Sequence, residues 1–363
     1  MKIALINPAP HYTGVGKYSL NLYKRLKSKI DIDYYFLNFK EKKIELRTRA
    51  GKTEIPVNTT VRRNFLFNKA AVKQIPRIYD LYHICIQDFS FAKLAPKIIT
   101  CHDIIRKLYP RSWLEYIQQF FIYSGLKKAR HILADSENTK KDMVEHLKLK
   151  QEKITVVPLG VESIFKPLPP KELSKLRAKY KLPNKKFILH ISSEEPRKNY
   201  AHLLGAFARL KDTFPDHYIL KVGNAWPKRA KKHGQLIRKL NISERVITIP
   251  TVPEEDLPAF YNIADVFVMP SIYEGFGLPL LEAMACGCPT IAYNTSSIPE
   301  VAGKASVLTP TGDIEQLMHS INNVLTDKRL RDKIRKEGIK QAKQFTWEKC
   351  AEQTLNAYKR CAA

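Results

Sequence analysis

Long hydrophobic runs are missing from this chain. No stretch of its 363 residues approaches the ~20 consecutive apolar residues that span a bilayer. The opening Lys2-Ile-Ala-Leu-Ile-Asn7 reads as a buried strand rather than a secretory leader, so a cytoplasmic protein is expected. Cysteine is scarce and unpatterned. Cys85, Cys101, Cys286, Cys288, Cys350 and Cys361 form no C-x-x-C and no Cys/His cluster at zinc spacing, which predicts reduced thiols packed as small apolar side chains. Repeats and low-complexity tracts are also absent, which argues against an array or a disordered chain.

Acid is in short supply: 35 Asp+Glu stand against 62 Lys+Arg, a formal net charge of +27. A basic surface of this size suits a polyanion, whether nucleic acid, anionic lipid headgroups or phosphorylated substrates, although a solvated lysine-rich surface accounts for it equally well. The densest patch runs from Lys40 through Lys42, Lys43, Arg47, Arg49, Lys52, Arg62 and Arg63 to Lys69 and Lys73, with Phe65-Leu-Phe67 inside it. Basic residues interleaved with aromatics suit a membrane interface, so peripheral association with anionic lipid through Lys40–Lys73 is expected.

What is present is alternation. Ile3–Ile6 is strand-like, Gly14-Val-Gly16 opens a helical pattern to Leu26, and Ile32–Leu37 is strand-like again. Further strands are expected at Leu81–Ile86, Ile98–Thr100, His131–Ala134 and Ile154–Val157, with helices over Trp113–Lys128 and Asn138–Leu147. Such alternation predicts a parallel sheet covered on both faces. Three prolines within Phe165-Lys-Pro-Leu-Pro-Pro170 then interrupt regular structure. The second half repeats the pattern, with strands at 187–191, 218–222, 246–249, 266–269 and 290–293, helices over 314–325 and 330–344, and a last helix to about Tyr358. The fold class is therefore α/β with two doubly wound, Rossmann-like domains. Ligands of such sheets sit at the carboxyl ends of the strands, and two lobes predict a cleft.

Within the second half, Ser271-Ile-Tyr-Glu-Gly-Phe-Gly-Leu-Pro-Leu-Leu-Glu282 sets two carboxylates on either side of a glycine-rich turn. Gly275, Gly277 and Pro279 exclude a continuous helix, so the segment must be strand, loop, helix, with Pro279 as first helical residue and Glu282 in the first turn. Backbone N–H groups from Gly275 to Leu278 would then form an anion cradle. Glu282 could accept hydrogen bonds from sugar hydroxyls. The plainer reading is that Glu282 complements the helix dipole and Glu274 is a solvated loop residue.

Residues 270–292, followed by Ile298-Pro-Glu-Val-Ala-Gly303, resemble the E-x7-E region of retaining GT-B glycosyltransferases of family four, and among these the mannosyltransferases. Gly14-Val-Gly-Lys-Tyr18, Ile99-Thr-Cys-His-Asp103, Ala134-Asp-Ser-Glu-Asn-Thr-Lys140, Val157-Pro-Leu-Gly-Val161, Glu195-Pro-Arg-Lys-Asn199 and Phe345-Thr-Trp347 extend the match over nearly the whole chain. The resemblance implies the domains 1–166 (acceptor side) and 167–345 (nucleotide-sugar side), with the helix at 346–363 crossing back onto the first. By the same resemblance Glu282 holds the ribose of a nucleotide-sugar, and Glu274 and His102 contact the transferred sugar. Arg197 and Lys198 neutralise the leaving diphosphate, while Gly14, Gly16, Gly275, Phe276, Gly277 and Leu278 approach the donor. Ser192-Ser193 departs from the family's usual Gly, often followed by Arg. Asp103 reads as a cap for the following helix rather than a catalytic group.

Two local motifs compete with this assignment. Gly14-Val-Gly16 followed by Asp31 and Asp33 resembles a dinucleotide fingerprint, but Ser19 stands at the third glycine. Asp31-Ile-Asp33 mimics the D-x-D of metal-dependent transferases, yet its strand-edge setting argues for coincidence, so no metal and no cofactor is expected. The expected reaction is transfer of a hexose, mannose from GDP-mannose, to a hydroxyl of a saccharide or lipid-linked acceptor, with retention and without nucleic acid as a partner. Alternatives are a UDP-sugar donor, a GT-B epimerase or pyridoxal-phosphate phosphorylase, or a polyanion-binding module on a vestigial transferase fold.

Overall fold

The computed structural model describes residues 1–11, 13–57, 64–224 and 227–362. They form two compact units, one of Met1–Gly160 with Thr346–Ala363 and the other of Val161–Phe345. The first boundary thus precedes residue 166, because the connector is tied into the second unit. Val161 N–H donates to the Phe345 carbonyl, and Asn262 accepts from Leu168 N–H while donating to the Lys166 carbonyl. The third proline of the connector, Pro170, begins a helix, Pro170–Lys179, in the first turn, where N–H groups have no intrahelical acceptor and a missing one costs nothing.

In the first unit the strands are β1 (Lys2–Asn7), β2 (Asp31–Asn38), β3 (Lys43–Thr48), β4 (Gly51–Pro56), β5 (Leu81–Ile84), β6 (Lys97–Cys101), β7 (His131–Ala134) and β8 (Ile154–Val156). They make one sheet in the order β4-β3-β2-β1-β5-β6-β7-β8. Six strands are parallel, and β3 and β4 extend the β2 edge as an antiparallel hairpin. The core under this sheet gathers Ile6, Tyr35, Phe67, Ile84, Ile99 and Ile132.

That hairpin and the helix Asn64–Lys73 carry the basic segment singled out above. Its charges are partly neutralised at home: Lys43 pairs with Glu41 at 2.5 Å and Glu54 at 2.8 Å, and Lys52 with Glu45 at 3.1 Å. Phe67 is fully buried, so it takes no part in a surface. Arg62 and Arg63, and the side chains of Phe65 and Leu66, lie outside the described residues.

The second unit holds β9 (Lys186–Ile191), β10 (His217–Val222), β11 (Val246–Ile249), β12 (Val266–Met269), β13 (Thr290–Tyr293) and β14 (Val307–Thr309). Their order is β11-β10-β9-β12-β13-β14, parallel throughout, over a core that includes Ile188, Leu203, Phe207, Ile219 and Val268. Both sheets reverse winding direction once, between β1 and β5 in the first and between β9 and β12 in the second. Crevices for ligands open at the carboxyl ends of strands flanking such a reversal.

The last helix, Trp347–Ala362, is part of the first unit. Glu348 pairs with Arg25 at 2.7 Å, and the Tyr358 hydroxyl lies 2.6 Å from His83 Nδ1. All six cysteines are buried and unbridged. Among the described residues no helix is long and apolar enough to cross a membrane.

Candidate active site

The β9/β12 reversal brings together the loop after β9, carrying Arg197 and Lys198, and the loop after β12, carrying Glu274 and Gly277. Lys198 Nζ donates to Glu274 Oε1 at 2.6 Å, and Arg197 Nη1 donates to Glu274 Oε2 at 2.8 Å. Both carboxylate oxygens therefore face a cation. Glu274 is 6% exposed and Lys198 9%. Burial alone would push the Glu274 pKa up, but Lys198 and Arg197 outweigh it and hold the carboxyl at about 2. Burial also draws Lys198 down from the ordinary lysine range, against the pull of Glu274. This is a buried ion pair, not the solvated loop residue of the plainer reading.

The backbone here is held as firmly as the side chains. Glu274 N–H donates to Ser296 Oγ at 2.8 Å, and Ser297 Oγ donates to the Glu274 carbonyl at 3.0 Å. Ile272 N–H donates to the Arg197 carbonyl, which fastens the two loops to each other. Arg197 is further engaged by Glu195 at 2.8 Å and by the Tyr273 carbonyl.

After Glu274 the chain turns through Gly277, whose φ of +101° is open to glycine at no cost. A Cβ at Gly277 would also meet Ile298 Cδ1 at 2.8 Å. Gly277 caps the helix Leu278–Ala285, so that helix starts one residue before Pro279. Glu282 consequently lies beyond the first turn, not within it as the proline placement suggested. The N–H groups of Phe276, Gly277 and Leu278 have no acceptor among the described residues, as expected at a helix N-terminus. The Phe276 side chain, in contrast, is buried against Phe345, ring centroids 5.8 Å apart, so only its backbone is placed to meet a donor. Glu282 is half-buried and accepts from the Tyr261 hydroxyl at 2.8 Å.

Ser192, the departure noted in the sequence, is pinned from two sides. Its hydroxyl lies 2.7 Å from His190 Nε2, and His190 Nδ1 donates to the Val268 carbonyl at 2.9 Å. Its carbonyl accepts from Lys221 Nζ at 2.8 Å. Lys221 is fully buried on β10, and that burial draws its pKa to about 8 despite Glu194.

In the first unit His102 follows β6. Its Nδ1 lies 2.7 Å from Asp135 Oδ2 and its Nε2 2.9 Å from the Cys85 carbonyl. Acceptors at both ring nitrogens require both to carry hydrogen. Burial opposes that charge, yet Asp135 outweighs it and raises the His102 pKa. Gly14 opens the helix Gly14–Leu26, and the Gly16 N–H is taken by its cap Thr13 at 3.1 Å. A Cβ at Gly16 would strike the Pro10 carbonyl at 2.0 Å, whereas one at Gly14 would meet open space. Gly16 is thus required by the chain's own turn. Asp103 Oδ1 accepts from Ile105 N–H at 3.0 Å, at the first residue of the short helix Ile105–Leu108, but the cap position itself is Ile104, one residue past the cap expected. Asp33 accepts from the Tyr79 hydroxyl at 2.6 Å inside the sheet, which accounts for half of the D-x-D. Among the described residues no group of three or more His, Cys, Asp or Glu could hold a metal ion.

Asp135, Tyr261, Ser296 and Ser297 were not singled out from sequence. Asp135 carried a signal, since it stands at the end of β7 beside β6; Tyr261 carried none.

Solved glycosyltransferase structures superpose on nearly the whole chain. Sucrose-phosphate synthase from Thermosynechococcus elongatus superposes with a TM-score of 0.82 at 22% identity, covering 99% of this chain and 98% of that one. Anabaena Alr3699/HepE in complex with UDP and glucose gives 0.79 at 19% identity, with 99% and 100% covered. The fold is GT-B. Residues 174–341 match the family model for glycosyl transferases group 1, and residues 12–163 that for glycosyltransferase family 4. The O-antigen chain mannosyltransferase B of Escherichia coli is 30% identical over 368 residues, 96% of either chain. The MMP alpha-(1->4)-mannosyltransferase of Mycolicibacterium hassiacum is 30% identical over 71% of this chain and 60% of its own. The chain belongs to glycosyltransferase family 4 and is a glycosyltransferase.

Proposed function

We propose that the protein transfers mannose from GDP-mannose to a hydroxyl of a saccharide or lipid-linked acceptor in cell-surface glycan synthesis, with retention at the anomeric carbon and without a metal. The observation that carries this reading is the buried Lys198–Glu274–Arg197 cluster at the β9/β12 reversal, beside a helix N-terminus. The likeness to mannosyltransferases along the whole chain favours the sugar.

The unpaired amides at Phe276 to Leu278 and the Lys198 ammonium receive the diphosphate, where charge grows as the glycosidic bond breaks. Glu274, held on both sides by cations, presents a fixed acceptor to hexose hydroxyls. Glu282, oriented by Tyr261, does the same for ribose. His102 contacts the transferred hexose, and its doubly partnered ring serves as a rigid wall rather than a base. In front-face displacement the acceptor oxygen bonds to the anomeric carbon as the carbon–phosphate oxygen bond breaks. The acceptor proton passes to the leaving phosphate, and GDP departs.

A thermal-shift screen of GDP-mannose, GDP, UDP-glucose and UDP-GlcNAc tests the donor, because a ligand bound only by the folded state raises the melting temperature. The largest shift is expected with GDP-mannose. A larger one with a UDP-sugar would reassign the donor, and a Glu274→Ala protein with undiminished transfer would sink the site.

A further inference from the structure

The helix Trp113–Ser124 is packed the wrong way round for a soluble protein. Its inner face is Gln119, Ile122 and Tyr123, all buried, while Trp113, Leu114, Tyr116, Ile117, Phe120 and Phe121 are exposed by between 43% and 70%. These six recur at i, i+1, i+3, i+4, i+7 and i+8, one continuous apolar stripe with helical period. A contiguous apolar patch of this kind marks an interaction surface.

Two surface pockets continue the stripe. One, of about 310 Å³, lies between Phe121 and Phe91. The next, of about 260 Å³, shares Phe91 and is ringed by Lys69, Lys73, Arg77 and Lys93 above a floor that includes Phe89. None of these four cations has a carboxylate within salt-bridge distance among the described residues. The stripe's own segment, residues 105–128, carries Arg106, Lys107, Arg111, Lys127 and Lys128 against the single acid Glu115. Lys107 Nζ sits 4.0 Å above the Tyr116 ring, with its charge at the edge of the apolar face.

We propose that this face of the first unit docks on an anionic membrane leaflet. The stripe from Trp113 to Phe121 enters the boundary between headgroups and acyl chains, and Lys69, Lys73, Arg77 and Lys93 receive lipid phosphates. Charge complementarity selects this occupant. A leaflet offers acyl chains rimmed by phosphate, the inverse of an apolar stripe rimmed by ammonium and guanidinium. A second copy meeting the face through a two-fold axis would bring like charges together around the rim. The surface differs from the one expected from sequence: the β3–β4 hairpin pairs much of its own charge and Phe67 is in the core, and among the described residues it is the Lys69–Lys73 end of that segment that joins the docking face.

Flotation of the full chain with phosphatidylcholine vesicles, with and without phosphatidylglycerol, tests this. Binding to the anionic vesicles is expected to be at least about tenfold stronger and to weaken with salt, with a blue shift of Trp113 fluorescence. Phe120→Ser/Phe121→Ser should lose at least about tenfold in binding and abolish the shift, and Lys69→Glu/Lys73→Glu/Lys93→Glu should remove the salt-sensitive part. Lys52→Glu, in the hairpin, should bind as the wild type does. Retained thermal shifts with nucleotide-sugar would show that the variants are folded, and separate failure here from failure of the donor assignment. Equal binding to neutral vesicles, or undiminished binding by the Phe120/Phe121 variant, would overturn the proposal. So would a wild-type dimer in sedimentation velocity that this variant converts to monomer.

Discussion

Lys198 and Glu274, 76 residues apart in sequence, meet at 2.6 Å as a buried ion pair. Their strands β9 and β12 are neighbours across the reversal of the second sheet, so the sheet order itself makes the pair. Each charge has surrendered its hydration: Lys198 is tolerable there because Glu274 faces it, and Glu274 because Lys198 and Arg197 face its two oxygens.

Removing one partner should therefore cost more than a surface charge would. Glu274→Ala is expected to lower the unfolding free energy by about 3–5 kcal/mol and kcat/KM for transfer by about 100-fold or more. The double variant Lys198→Met/Glu274→Leu should recover much of the stability while staying inactive. Urea denaturation alongside a transfer assay separates the two effects. A double variant that regains activity would remove the pair from the mechanism.

Glu274 and His102 set opposite slopes of stability with pH. Glu274 titrates near 2 in the fold against an ordinary value of 4.5, so its contribution is full above about pH 4.5 and is lost as pH falls toward 2. His102 is shifted upward from 6.5, so its contribution is full below about pH 6.5 and is lost as pH rises through the folded pKa. Melting temperatures of wild type minus Asp135→Asn should narrow as pH rises above 6.5. Wild type minus Glu274→Gln should narrow as pH falls below 4.5. A difference independent of pH in either case would contradict the assigned ionisation.

The alternation of strand and helix was legible because both sheets are mostly parallel and buried, and buried strands announce themselves as short apolar runs. The β3–β4 hairpin escaped because Lys43–Thr48 and Gly51–Pro56, added at the β2 end of the sheet, are rich in charge, with few apolar residues to mark them. Glu274, Glu282, Arg197 and Lys198 stood out by motif, but their pairing depends on sheet order that no local pattern contains. The register of Glu282 was misjudged because Pro279 is compatible with either of the first two helical positions, and the left-handed Gly277 decides between them. For Trp113–Ser124, helical period was evident, yet periodicity shows that a stripe exists and not which way it faces.

Gly277→Ala tests the turn that aims the amides. Its left-handed φ and the 2.8 Å approach to Ile298 Cδ1 make the substitution costly, about 1–3 kcal/mol. Donor KM should rise. Adding Ile298→Ala relieves the collision but not the backbone strain, so only part of the stability should return in thermal melts. Full recovery would assign the whole effect to packing.

Tyr261→Phe addresses Glu282 without touching its charge. Loss of the 2.8 Å hydrogen bond should cost about 1 kcal/mol in stability and weaken GDP-mannose binding by a few-fold, read by titration calorimetry. If Glu282 holds the ribose, free mannose should show no such penalty. An equal loss for both ligands would move Glu282 to another role.

The last helix offers a test confined to the first unit. A Cβ at Gly160 would lie 2.2 Å from the Trp347 amide nitrogen, a collision with backbone that no rotamer can relieve. Gly160→Ala should therefore lift the start of Trp347–Ala362 and cost about 1–3 kcal/mol. Tyr358→Phe, which deprives the buried His83 Nδ1 of its partner at 2.6 Å, should cost a similar amount while leaving the helix start in place. Hydrogen exchange distinguishes them: the first variant should lose protection from Trp347 onward, and the second around Tyr358 and β5. Nucleotide-sugar binding, which the proposed donor residues Lys198, Glu274 and Glu282 carry, should persist in both. Loss of donor binding on Gly160→Ala would show that the helix does more than complete the first unit's core.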